Sequence, residues 1–142
     1  RDHTGSRGLG DVYKRQAGHH TGGCGTQYEI EALSECSISV LGDRVDHAPF
    51  GIGGGQSASP NHVHFMLGGQ RWVPPMRSKA ENVRLEPGDS VFCQSPGGGG
   101  FGDPRTRPAE VVRRDVELGL ISAEVAVRVY GRSIGGEDDP GT

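Results

Sequence analysis

The sequence predicts an α+β chain: short, mostly antiparallel strands with long glycine-rich loops, followed by a carboxyl-terminal helical hairpin. Three observations predict it. Several short runs before residue 95 alternate apolar and polar residues with period two, a glycine-rich stretch follows and ends at Asp103-Pro104, and beyond it the apolar spacing becomes helical. A length of 142 residues suits about one domain. Twenty-five glycines and nine prolines put much of the backbone in turns and exclude a coiled coil or helical bundle, and the absence of a Gly-X-Y period excludes a collagen-like chain. Leu, Ile, Val and Phe number only 29, close to the bound of roughly 20% below which chains tend toward disorder. The net charge of −3 supplies little of the repulsion that disorder also needs.

Residues 1–16 (RDHTGSRGLGDVYKRQ) show neither helical nor strand periodicity. The run GDVYKRQ resembles translated adapter DNA, so this segment is expected to be non-native, or else a disordered linker, and the chain to be a fragment. Residues 17–104 are the expected β-rich part. In YEIEAL, Tyr28, Ile30 and Ala32 alternate with Glu29 and Glu31; in CSISVL, Cys36, Ile38 and Val40 alternate with Ser37 and Ser39. Both predict half-buried strands joined by a turn at Ser34-Glu35. Residues 42–61 predict a loop of a length that is usually functional. Val63, Phe65 and Leu67 then share one strand face and His62, His64 and Met66 the other. Gly68-Gly69 suits a two-residue hairpin turn returning through Arg71-Trp72-Val73. Asn82–Leu85, the Glu86-Pro87-Gly88-Asp89 turn and Ser90–Gln94 predict another hairpin.

Residues 105–131 predict the helical hairpin. Pro108 suits a first turn, Glu110 favours the positive end of the dipole, and Ala109, Val112 and Val116 mark an apolar stripe that Gly119 would end. Ser122 would cap a second helix, with Ile121 stapled against Ala126 and Gly131 closing it after Tyr130. Residues 132–142 predict a flexible tail.

Charge is unevenly spread: residues 1–16 carry a net +2 and residues 17–142 a net −5. An acidic body repels phosphate backbones, which disfavours nucleic-acid binding. No stretch approaches the 18 or so apolar residues of a membrane span. Cys24, Cys36 and Cys93 are odd in number and widely spaced, which favours free thiols in a reducing compartment; with no secretory signal evident, the expected location is cytoplasmic.

The strongest local feature is SPGGGGFGDP, Ser95 to Pro104. Consecutive glycines cost entropy on ordering, so a fold keeps them where backbone approaches something closely or φ is positive. Their N–H groups could face an anion, a substrate carbonyl or a partner chain; alternatively the run is a flexible connector between sheet and helices. Gly97, Gly99 and Gly102 satisfy GxGxxG, but Asp103-Pro104 stands where the Rossmann helix should open, and no GK[ST] follows. His62-x-His64 puts two imidazoles on one strand face, a possible metal pair or a solvated surface. Its cupin reading lacks the following Glu and any later His. His19, His20 and Cys24 lie in a glycine-rich loop, His47 is isolated in the long loop, and Ser57 and Ser59 lack a nucleophile elbow. The helix pair imitates a helix-turn-helix, yet its second helix offers only Arg128 as a base.

Three blocks in order resemble the carboxyl-terminal end of the hydantoinase B/oxoprolinase family: Gly18–Gly25 (GHHTGGCG), Asp43–Gly55 (DRVDHAPFGIGGG) and Ser95–Gly131. The last, with SPGGGGFGDP and RPAEVVRRDVELGLISAEVAVRVYG, is the most specific, and the resemblance spans about residues 17–131. It implies the last part of a longer cytoplasmic enzyme subunit that opens cyclic amides such as hydantoins and 5-oxoproline. ATP would be bound by a hydantoinase A-like partner subunit or fused domain in a hetero-oligomer. Related ketone carboxylases imply a second activity, and a non-catalytic β-rich interaction module is a third reading. The family's metal-binding Asp and His positions lie upstream, so a divalent metal is expected there and no ligand is assigned here. At Thr21 the sequence departs from an Arg common in the family, which removes a cation from that block. Catalytic residues are not identified. Asp43, Arg44, Gly53 and Gly54, with Gly97, Gly98, Gly99, Gly100, Gly102 and Asp103, match the family pattern and are the candidates for substrate- or partner-contacting loops. Arg44 could hold a substrate carboxylate bidentately or pair with Asp43 or Asp46.

Overall fold

The structure, a computed structural model, describes residues 16–133. The expectations for residues 1–15 and 134–142 lie outside the described residues. Six strands are formed: β1 (Gln27–Glu31), β2 (Cys36–Leu41), β3 (His62–Leu67), β4 (Gln70–Trp72), β5 (Lys79–Leu85) and β6 (Ser90–Gln94). A 3-10 turn (Pro104–Thr106) then leads to helices α1 (Ala109–Glu117) and α2 (Ala123–Arg128). The predicted α+β class with antiparallel strands and a terminal pair of helices is what forms.

The strands make a four-stranded sheet in the order β1-β6-β3-β4 and a two-stranded ribbon of β2 and β5, with all pairs antiparallel. This corrects two expectations. The chain segments that read as a hairpin across Glu86–Asp89 do not pair: β5 belongs to the ribbon and β6 to the larger sheet. Likewise β1 and β2, though adjacent in sequence, pair with β6 and β5. Both short connections carry the chain from one sheet to the other. Val63, Phe65, Val91 and Cys93 of the larger sheet pack with Leu85, and Ile38, Val40 and Val83 of the ribbon cover them.

The Gly68-Gly69 turn forms as expected, with φ of 57° and 79° at its two positions. Asp89 ties it to the neighbouring turn: its two carboxylate oxygens accept from the Gly68 N–H (2.8 Å) and the Glu86 N–H (2.9 Å). These backbone donors hold its carboxyl below the usual range, the Glu86 bond contributing most. The half-buried reading of YEIEAL holds only at Ala32; Tyr28 and Ile30 are 52% and 49% exposed. β1 is an edge strand, and Tyr28 borders an open pocket between Ser39–Gly42 and the core residues Val63 and Cys93, so its ring is not covered by a second layer.

The helices form where the capping residues place them. Ser122 Oγ accepts from the Val125 N–H, and Gly119 and Gly131 take φ of 67° and 66° just past each helix. Pro108 stands at the N-cap of α1. Val112, Ile121, Ala126, Tyr130 and Ala17 make a second core that fastens the helices to the start of the first glycine loop.

Candidate functional site

Three loops converge between the sheets and the helices: residues 16–25, residues 50–56 and the glycine run 97–103. They are joined backbone to backbone. Gly98 N–H donates to Gly23 O, Gly100 N–H to Gln56 O, Phe101 N–H to His20 O and Gly102 N–H to Ile52 O, all at 2.8–2.9 Å. Bonds also run back: His20 N–H to Phe101 O, Ile52 N–H to Gly100 O and Gln56 N–H to Ala17 O. The run is therefore neither a flexible connector nor a cradle whose donors at these four positions await an anion. It is the middle strip of a three-loop backbone hub.

Closeness explains the composition. A Cβ on Gly22 would lie 1.8 Å from Gly98 O, one on Gly99 2.0 Å from Phe50 O, and one on Gly100 2.1 Å from Ala17 O. No side chain fits between backbones at such spacing. Gly53 and Gly54 make the turn of the second loop with φ of 60° and 94°, and Gly54 stands against Asp103. Asp103 in turn caps the 3-10 turn, its Oδ1 accepting from the Arg105 N–H at 2.9 Å. Gly54, Asp103, Arg105 and Arg128 border an open pocket of about 520 Å³.

Asp43 and Arg44 line a different pocket, of about 510 Å³, between residues 42–47 and 75–79. Its two walls are clamped where Gly42 N–H donates to Ser78 O and Ser78 Oγ–H to Gly42 O, each at 2.8 Å. Lys79 pairs with Asp43 at 3.0 Å, and Arg77 pairs with Asp46. Both Arg44 (φ 66°) and Arg77 (φ 55°) adopt the left-handed backbone, which residues with a Cβ seldom do. The candidate residues thus divide between the hub and this pocket.

The histidines split as well. His62 and His64 share the outer face of β3, where the His64 ring stacks on Phe92 at a centroid distance of 4.7 Å. Burial, then the Arg71 charge, holds the His64 imidazole below its ordinary pKa against the opposing pull of Glu29. His19 Nδ1 is bonded to Thr106 Oγ1 at 2.9 Å, so it serves the hub. Among the described residues no group of three His, Cys, Asp or Glu side chains is placed to hold a metal ion, so the donor set a divalent cation needs is not here.

One buried feature escaped the sequence reading. Arg107 and Asp115 form an ion pair at 2.7 Å with side chains only 9% and 6% exposed, and Arg107 Nη1–H also donates to His19 O at 2.8 Å. The pair bolts α1 to the first glycine loop. A signal was available: Asp115 stands three residues after Val112 and one before Val116, on the apolar stripe, where a carboxylate requires a partner.

Comparison with known proteins bears on this arrangement. Residues 15–104, spanning all three hub loops, match the family model of hydantoinase B/oxoprolinase. The chain belongs to the hydantoinase B/oxoprolinase family. It is 31% identical over 117 residues to the B-type subunit of a putative D-/L-hydantoinase of Pseudomonas sp. (strain NS671), covering 82% of this chain and 20% of that protein. It is 33% identical over 128 residues to the beta subunit of the caprolactamase of Pseudomonas jessenii, covering 84% and 21%. The chain thus spans about a fifth of the length of these relatives. The crystal structure of the ATP-dependent caprolactamase from Pseudomonas jessenii superposes with a TM-score of 0.66 at 27% identity, over 88% of this chain and 23% of that one. A nucleotide-free acetone carboxylase shares the fold at a TM-score of 0.57 and 20% identity, over 85% and 20%. Among the described residues no helix is long and apolar enough to cross a membrane.

Proposed function

We propose that the chain is the carboxyl-terminal part of a cytoplasmic subunit that opens cyclic amides of the hydantoin or 5-oxoproline kind at the expense of ATP, working with a hydantoinase A-like partner. The observation that carries this reading is the family match across all three hub loops, supported by the likeness to an ATP-dependent caprolactamase. A lactam is a poor electrophile, and ATP on the partner would supply activation of its oxygen as a leaving group. A divalent metal belongs, in this reading, to residues upstream of those described.

The parts of this chain divide the remaining work. Gly53, Gly54 and the run Gly97–Gly102 hold the loops rigidly together, and Asp103 fixes the exit to the helices. Asp43 and Arg44 border the pocket available to a small ligand. Phe50, Ile52 and Phe101, between 54% and 69% exposed on the hub, would meet the rest of the subunit or its partner. The test is ATP-dependent ring opening of 5-oxoproline, hydantoin and caprolactam by the complete subunit assembled with its partner, with ADP release followed alongside. Coupled ADP release and ring opening support the reading; ring opening at full rate without ATP refutes it. The 142-residue chain alone should turn over neither ATP nor lactam. Consumption of acetone with bicarbonate and ATP, in place of ring opening, would instead support the carboxylase reading that the second shared fold allows.

A further inference from the structure

The pocket between residues 42–47 and 75–79 has an unbalanced set of charges. Three cations line it, Arg44, Arg77 and Lys79, against two carboxylates, Asp43 and Asp46. Lys79 is taken by Asp43 and Arg77 by Asp46. Arg44 has no ion-pair partner among the described residues. The sequence left open whether Arg44 pairs with Asp43 or Asp46; the geometry gives both carboxylates to other cations.

Arg44 is also held in place at some cost. Its left-handed backbone is maintained by Asn61, whose N–H donates to Arg44 O at 3.0 Å and whose Nδ2–H donates to Asp43 O at 3.0 Å. Arg77, across the pocket, is left-handed too, with its N–H donating to Pro74 O at 2.7 Å. Strained conformations at two charged residues facing one pocket are what a ligand-binding site retains and a plain surface loop sheds. The pocket's volume, about 510 Å³, falls in the range of small-molecule sites.

We infer that this pocket binds a small organic monocarboxylate through the Arg44 guanidinium. One spare positive charge matches one carboxylate, whereas a phosphate dianion would bring more charge than Arg44 neutralises and would face Asp43 and Asp46. The planar fork of the guanidinium suits two parallel bonds to a carboxylate. Within the function proposed above, on which the substrate role alone rests, the pocket favours cyclic amides that carry a carboxylate over uncharged lactams.

The test is equilibrium binding, by calorimetry and ligand-observed NMR, to the complete subunit. Three related probes are used: 5-oxoproline, 2-pyrrolidinone (the same ring without the carboxylate) and cyclopentanecarboxylate (a carboxylate without the lactam). Arg44→Asn removes the cation while keeping a residue that tolerates left-handed backbone, and Arg44→Lys keeps charge but not the fork. We expect 5-oxoproline and cyclopentanecarboxylate to bind and 2-pyrrolidinone not to, with Arg44→Asn weakening the two acids roughly tenfold or more. Arg44→Lys should recover only part of the loss, and unchanged thermal unfolding of both variants certifies the fold. Equal binding of 2-pyrrolidinone, tighter binding of inorganic phosphate, or an undiminished Arg44→Asn variant each overturns the inference. Because binding is read without turnover, failure of the ATP-dependent reaction would be seen separately and would leave the carboxylate site standing.

Discussion

Gly22 and Gly23 are neighbours in sequence, yet the hub predicts opposite responses to the same added methyl group. At Gly22 a Cβ would stand 1.8 Å from Gly98 O, 2.4 Å from Gly98 C and 2.9 Å from Gly99 O. Reaching ordinary contact at 3.4 Å requires the facing backbone to retreat by about 1.6 Å. That shift would break the bond from Gly98 N–H to Gly23 O and loosen the Gly100 and Phe101 bonds beside it. Overpacking at about 1–3 kcal/mol, with about 1 kcal/mol for a lost hydrogen bond, puts Gly22→Ala at roughly 2–4 kcal/mol of destabilisation. At Gly23 nothing lies within 4 Å of the added Cβ, and φ is not positive. Gly23→Ala should therefore be neutral or stabilise by up to about 0.4–1 kcal/mol, through a less flexible unfolded chain. Urea unfolding of both variants beside the parent protein measures the difference. Two variants within about 0.5 kcal/mol of each other would refute the claim that these glycines exist to let backbones touch, because only the facing backbone distinguishes the two sites.

Other expectations follow from named contacts. Asp115→Ala should destabilise by about 3–5 kcal/mol by leaving Arg107 charged and buried, and adding Arg107→Ala should cost much less than the two single losses combined; a double-mutant cycle reads this coupling. Ser122→Ala should cost about 1 kcal/mol in chemical unfolding by removing the acceptor for the Val125 N–H. Asp89 binds its proton less readily folded than unfolded, so its contribution is fully present above the ordinary carboxyl pKa of 3.8 and is lost as pH falls through the lower folded value. Asp89→Asn should flatten the acid limb of a stability-versus-pH curve. His64 is likewise depressed, so stability that depends on its neutral ring is present above its ordinary pKa of 6.5 and declines as pH falls through the folded value. NMR titration of the His64 imidazole should give a midpoint below the ordinary histidine value of 6.5.

Much of the chain was legible because the controlling physics is local. The Gly68-Gly69 turn, the Ser122 cap and the stops at Gly119 and Gly131 each follow from one residue's backbone or side-chain preference. Alternation likewise identified the buried face of β3, since Val63 and Phe65 are core and His62 and His64 are not. Tyr28 and Ile30 show the limit of that signal: alternation names a face, but burial depends on whether another layer covers it. The hairpin expected across Glu86–Asp89 failed for a related reason, since a short connection can join strands within a sheet or arch between two sheets.

The candidate site divides along the same line. The glycine run announced close approach, and the family blocks were readable in order along the chain. Which backbone each glycine meets could not be read, because Gly22 and Gly55 lie against Gly98 and Gly100, tens of positions away, and Gly51 against its own loop, and one peptide group is chemically like another. By itself the sequence determined the element types, the caps and turns, and the family whose blocks it carries. The tertiary structure alone decided that the loops close on one another, that Arg107 pairs with Asp115, and that Asp43 and Asp46 are claimed by Lys79 and Arg77. Peptide groups and charges of one sign are interchangeable in sequence; only their positions in space choose the partner.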